Sequence, residues 1–251
     1  MAAGTAKGRG GLPRWTGYLI KPVLLGLACL ALYLWVGTLE LDSIEQRSLN
    51  AETITQRFIE HLRLTGIAAV TVVVLAVSAG VLLTRPFARR VSPYLVNVAN
   101  IGQGVPSIGV LALLAIFYGL GFYPALAALV AYAFLPVLRN TMVGLRQVDQ
   151  FVIESARGMG MTKTAVLFRI ELPLAIPIML AGIRTALVIT VGTAALATFI
   201  GAGGMGDLIQ AGISLNRIPV LITGAVLTSV LALLIDWIAG VAEDVLRPKG
   251  L

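Results

Sequence analysis

Cysteine and histidine occur once each, as Cys29 and His61, and charged residues make up only 12% of the 251 positions. One cysteine excludes an intrachain disulfide, and these two singletons exclude a metal cluster of Cys and His ligands within one chain. Soluble domains carry about 25% charged residues, so a water-soluble globule is excluded as well. No Gly-x-x-x-x-Gly-Lys-Ser/Thr phosphate loop occurs, and the chain therefore has no P-loop nucleotide site of its own. What is present is apolar: 58% of residues are hydrophobic and the mean hydropathy is +0.92. The formal charge of +7 would point to nucleic acid in a soluble protein. In a membrane protein the placement of charge carries more information than its sum.

A crossing helix takes about 20 mostly apolar residues. Such runs extend from Leu19 to Leu39 and from Leu64 to Leu83. The stretch from Tyr94 to Leu138 is too long for one crossing, and Gly119, Gly121 and Pro124 divide it in two. Two further runs cover Leu174 to Ile200 and Pro219 to Ile238. The reading is an all-α polytopic membrane protein with about six transmembrane helices. The first run begins behind basic residues, as a cleavable signal does, but it is longer than a signal core and is read as a retained anchor.

Six crossings put both termini on one side. With the termini in the cytoplasm, the inside segments hold Lys7, Arg9, Arg14, Lys21, Arg85, Arg89, Arg90, Arg139, Arg146, Arg157, Lys163, Arg169, Arg247 and Lys249, fourteen of the 19 basic residues. The outside holds Arg47, Arg57, Arg63 and Arg217, so the positive-inside rule selects this orientation. The organisation is then residues 1–63 as an anchor helix plus an external segment, 64–238 as a core of five helices, and 239–251 as a cytoplasmic tail. In the external segment Ile44, Leu49, Ile54, Phe58 and Leu62 recur at helical spacing, which predicts a short amphipathic surface helix.

The cytoplasmic segment 139–173 is far longer than a helix hairpin needs. It reads Glu154-Ser155-Ala156-Arg157-Gly158-Met159-Gly160, then Met161-Thr162-Lys163, and ends Ile170-Glu171-Leu172-Pro173. Thr162 is a fair N-cap and Pro173 marks the start of the next element, so the expected form is helix, glycine turn, helix. Ala156, Gly158 and Gly160 allow close approach of another backbone, and Met159 and Met161 are adaptable apolar contacts.

These residues resemble the cytoplasmic signature of permease subunits of ATP-binding-cassette importers: Glu-Ala-Ala, three residues, Gly, nine residues, Ile, any residue, Leu-Pro. Glu154, Ala156, Gly160, Ile170, Leu172 and Pro173 match, and Ser155 stands for the first alanine. The stretches Leu135 to Thr141, Ala181 to Thr185 and Ile200 to Gly206 make the region from Leu64 to Ile238 similar to type I permeases of osmoprotectant importers, which carry glycine betaine, choline or carnitine. The resemblance implies that residues 139–173 hold a coupling helix docking in a groove of a separate ATPase. It implies two ATPase subunits with ATP and magnesium bound there and no cofactor in this chain. It also implies a second permease copy or paralogue, an extracytoplasmic substrate-binding protein, and a place in the cytoplasmic membrane. A permease for another small polar solute such as an amino acid is the alternative.

A secondary transporter needs coupling charges within the membrane, where only Arg184 and Asp236 stand, and an intramembrane enzyme lacks paired acids or a nucleophile and base. Arg184 either pairs with Asp236, snorkels to the interface, or serves the pathway. Pro106 and Ser107 break the third crossing as a packing kink or as part of a cavity lining. Gly201, Gly203 and Gly206 spell a dinucleotide fingerprint without the strand it requires. With Gly204 they are read as an external glycine loop, either a plain turn or a gate or docking point for a binding protein. Phe117, Tyr118, Phe122 and Tyr123 are read as an interfacial belt rather than a cage for a quaternary ammonium. His61 and Cys29 receive no role.

Overall fold

The computed structural model describes residues 14–88 and 90–246. Lys7, Arg9, Arg89, Arg247 and Lys249 of the charge count, and residues 247–251 of the tail, lie outside the described residues. The chain runs through helices α1 (Arg14–Gly37), α2 (Ser43–Ser48), α3 (Ala51–Thr84), α4 (Ser92–Gly104), α5 (Ser107–Tyr118), α6 (Phe122–Arg146), α7 (Gln150–Gly158), α8 (Lys163–Val166), α9 (Leu172–Leu196), α10 (Gly206–Ser214) and α11 (Ile218–Leu246). Five helices are long and apolar enough to cross a membrane, and α4 with α5 make a sixth candidate bent by 98°.

Contacts at the two ends of the bundle show that this bent pair joins them. Arg85, just after α3, meets Glu171, just before α9, at 2.7 Å. At the opposite end Gly121 N–H donates to the Ile200 carbonyl at 2.7 Å. The chain enters α4 at the Glu171 end and leaves α5 at the Ile200 end, so the pair is one crossing. The division of the long apolar run falls where expected: Gly119 and Gly121 adopt φ of +86° and +115° between α5 and α6, a region open to glycine at little cost.

The bend is held by an exchange of freed carbonyls. Pro136 inside α6 has no N–H to give the Tyr132 carbonyl four residues back, and Gln103 Nε2 donates to it instead at 2.9 Å. The Tyr132 hydroxyl in turn donates to the Val105 carbonyl, at the bend itself. Pro22 acts in the same way within α1: the Tyr18 carbonyl it leaves free accepts the Trp237 indole N–H from α11 at 2.8 Å. Backbone groups in hydrocarbon need such partners.

The helices α3, α6 and α9 form the centre and pack through small residues. Ala68, Ala76, Ala125, Ala128, Ala133 and Ala194 are wholly buried. A Cβ on Gly80 would lie 2.7 Å from the Thr141 methyl, and one on Gly182 would lie 2.8 Å from the Pro136 carbonyl. Without a hydrophobic driving force in lipid, this close approach supplies the dispersion contact that joins crossing helices.

Two expectations are corrected. The external segment is not one surface helix: only Ser43–Ser48 stands apart, capped by Asp42, and from Ala51 the chain is already in α3 behind the N-cap Asn50. Leu49 and Ile54 pack on Met205, Leu208 and Val220 rather than on a membrane surface, and α3 passes residues 63 and 64 without a break. Nor does Pro173 begin a new element. Residues Leu167–Glu171 form a π-helical turn, which re-routes the bonds around the missing donor. The result is one continuous helix from Lys163 to Ile200.

Candidate functional site

The segment between α6 and α9 stands clear of the bundle at its Glu171 end. Asp149 caps α7 by accepting the Phe151 N–H at 2.8 Å. Gly160 then turns the chain at φ +88°, with Gly160 N–H on the Arg157 carbonyl and Met161 N–H on the Ala156 carbonyl. Thr162 caps α8 through the Ala165 N–H at 3.2 Å. Helix, glycine turn and helix therefore follow each other as their residues predict.

Within this element Ala156 is buried, while Glu154, Ser155, Gly158, Met159 and Gly160 are exposed. Glu154 accepts a hydrogen bond from Gln150 of the preceding turn at 3.3 Å. Ile170, Leu172 and Pro173 are half-buried where the element joins α9. Phe151 and Met159 are each 78% exposed and Phe168 is 63% exposed. Phe151 and Met159 thus place large apolar groups on a segment outside the crossings, the kind of exposure that goes with an interaction surface. At its base Glu171 takes two bonds from Arg85, 3.3 and 2.7 Å long. This pair ties the end of α3 to the root of the element, beside a cavity of about 320 Å³ lined by Arg157, Lys163 and Leu167.

Of the residues considered for a pathway or gate, the structure brings the glycine loop onto α3 and leaves the others apart. Pro106 and Ser107 sit at the 98° bend. Arg184 pairs with Asp236 of α11, and Lys21 of α1 reaches the same carboxylate at 3.3 Å. The aromatics do not converge: Phe117, Tyr118 and Tyr123 point outward, and Phe122 lies under the Arg63 guanidinium at 5.6 Å.

Gly201, Gly203 and Gly204 have φ of +74°, +76° and +95°. The loop they form rests on Glu60 and His61. Gly204 N–H donates to Glu60 at 3.1 Å, and Met205 N–H to His61 Nδ1 at 3.3 Å. His61 is 0% exposed; with Nδ1 accepting, Nε2 carries the proton and donates to the Val191 carbonyl of α9 at 3.2 Å. Arg57 bridges Glu60 and Asp207, 2.8 Å from each, and Asp207 also accepts from Thr198. Sequence reasoning missed His61, because its partners lie 130 and 144 residues away. Nearby, Asp42 is held below the usual carboxylate range by the Glu45 and Ile44 amides and by Arg217.

Residues 73–247 match the family described as binding-protein-dependent transport system inner membrane component. The chain is 41% identical over 226 residues to the osmoprotectant import permease protein OsmY of Salmonella typhimurium, covering 90% of this chain and 92% of that one. It is 42% identical over 192 residues to the choline transport system permease protein OpuBB of Bacillus subtilis, covering 76% and 88%. It is also 38% identical over 206 residues to the carnitine transport permease protein OpuCD of Listeria monocytogenes, covering 82% and 92%. Among solved structures, an inward-facing conformation of the MetNI methionine ABC transporter superposes with a TM-score of 0.68 at 25% identity, over 77% of this chain and 96% of that one.

Proposed function

The chain belongs to the binding-protein-dependent transport system inner membrane components, and we propose that it is the permease subunit of an ABC importer for small quaternary ammonium osmoprotectants such as glycine betaine, choline or carnitine. The substrate class rests on what the relatives at 38 to 42% identity are named for. The observation that carries the mechanism is the exposed apolar face of α7 and its glycine turn, at the end of the bundle where Arg85, Arg146, Arg157, Lys163 and Arg169 gather. That end faces the cytoplasm on the positive-inside rule. There it receives a pair of ATPase subunits, which bind ATP and magnesium.

Because α8 runs without a break into α9, displacement of the docked element moves a rod of about 57 Å, with α3 fastened to its root by Arg85 and Glu171. Paired with a second permease copy or paralogue, the bundle then alternates its opening. Solute arrives from an extracytoplasmic binding protein at the His61 end. The test is uptake into proteoliposomes holding the permease pair and ATPase, with binding protein outside and ATP inside. ATP-dependent accumulation of glycine betaine, choline or carnitine supports the reading; accumulation of methionine instead replaces the substrate class, and uptake without the ATPase overturns the mechanism.

A further inference from the structure

We infer that Glu60 and His61 are positioning residues which fasten the loop Gly201–Gly206 to α3 and α9, so that the stroke delivered at the Glu171 end reaches the outer loop. The inference rests on the importer reading above and assigns a role to residues outside the coupling element.

The helices α3 and α9 are joined at both ends by polar contacts. At one end stands the Arg85–Glu171 pair. At the other His61 ties three elements through one ring, with its own backbone in α3, Nδ1 on the Met205 amide and Nε2 on the Val191 carbonyl of α9. Glu60 adds the neighbouring amide of Gly204, and Arg57 continues the contact to Asp207 at the start of α10. A ring with both nitrogens bonded to backbone, wholly shielded, fixes distance and direction together.

The loop is shaped to this seat. A Cβ on Gly204 would come within 3.2 Å of His61 Nδ1, and one on Gly203 within 2.8 Å of Glu60 Oε2. Three positive φ angles in four residues give the loop little rigidity of its own, so its position depends on what holds it. Without the His61 bonds the Gly204–Met205 stretch is held to α3 by Glu60 and Arg57 alone and loses its tie to Val191, although the docking element at the other end of the bundle is untouched.

The experiment uses the assembled complex in proteoliposomes and nanodiscs. His61→Leu keeps bulk and removes both bonds; Gly204→Ala displaces the loop from the other side; His61→Asn restores an acceptor near Nδ1. Expected for the first two are basal ATP hydrolysis within twofold of wild type, solute transported per ATP down tenfold or more, and at least tenfold faster hydrogen exchange of the 203–206 amides. His61→Asn is expected to recover a third or more of the coupling. Wild-type coupling in His61→Leu, unchanged exchange at 203–206, or parallel loss of hydrolysis and transport in all three variants overturns the inference. The exchange readout needs no solute. A wild-type complex that takes up none of the three osmoprotectants refutes the substrate reading alone.

Discussion

Arg184 of α9 and Asp236 of α11 meet in a two-bonded ion pair, Nε to Oδ1 at 2.5 Å and Nη2 to Oδ2 at 2.8 Å. The pair is the centre of a larger cluster: Glu243 lies 3.7 Å from the guanidinium, Lys21 joins Asp236, and the Tyr18 hydroxyl donates to Asp244 at 2.6 Å. This cluster adds charged contacts to the Trp237–Tyr18 bond that fastens α1, otherwise mostly exposed, to α11.

Removing one partner leaves the other with a longer contact only, Lys21 at 3.3 Å for Asp236 and Glu243 at 3.7 Å for Arg184. Arg184→Ala and Asp236→Ala are each expected to lower stability by about 1–3 kcal/mol, below the loss for a fully buried pair because both groups are partly accessible. The double variant Arg184→Ala with Asp236→Ala should lose less than the sum of the two. Thermal unfolding in detergent, read as a double-mutant cycle, checks this; additive losses would show that the pair contributes nothing as a pair.

Phe151→Glu and Met159→Glu place charge on the exposed face of the docking element without touching Ala156, its buried contact. Recovery of the ATPase with the purified permease should fall at least tenfold for the two together. Yield and thermal stability of the permease should stay unchanged. Copurification from the same membranes measures both.

Charge reversal tests the root of that element. Arg85→Glu alone sets two carboxylates together at the Glu171 site and should abolish stimulated ATP hydrolysis. Adding Glu171→Arg restores opposite charges, and at least a quarter of the stimulation should return. No recovery in the double variant would falsify the pairing as the working contact.

Gly182→Ala introduces a Cβ 2.5 Å from Asn140 Cβ and 2.8 Å from the Pro136 carbonyl. Overpacking of a tight crossing costs about 1–3 kcal/mol, so a lower unfolding temperature is expected. Gly102→Ala, with nothing within 4 Å, serves as the control and should be nearly silent.

Acid should loosen the cap of α2. The folded-state pKa of Asp42 is depressed, first by the Glu45 amide, then by the Ile44 amide and Arg217. The cap is thus fully formed above the ordinary carboxylate value of about 4 and is lost as pH falls through the lower folded value. Amide exchange of Ile44 and Glu45, corrected for intrinsic rate, should accelerate on acidification below pH 4, and Asp42→Asn should remove that dependence.

Local patterns carried much of this structure. Apolar run lengths located the crossings, and Thr162 and Gly160 announced the helix, turn and helix because caps and positive-φ glycines are short-range signals. Arg184 was recognisable by its depth, and Asp236 as a partner by its place in the last run. What stayed hidden depends on distant contacts. His61 precedes an apolar run with nothing to mark it, since its bonds go to Val191 and Met205. Pro106 announced an interruption, but the 98° angle follows from contacts with α6, where the Tyr132 carbonyl takes Gln103 of α4 and the Tyr132 hydroxyl reaches Val105 at the bend. The π turn was obscured because a proline reads as a boundary, while a widened turn lets the helix continue past it.

The 34 residues of α3 extend about 51 Å, whereas the hydrocarbon layer of a bilayer is about 30 Å thick. Its first turns carry Glu52, Gln56, Arg57 and Glu60, so the excess length falls on this polar end. Acyl-chain length thereby becomes a variable acting on the protein. Short-chain lipids leave these charges in water, while long-chain lipids draw them toward hydrocarbon, where an ionised carboxylate is costly.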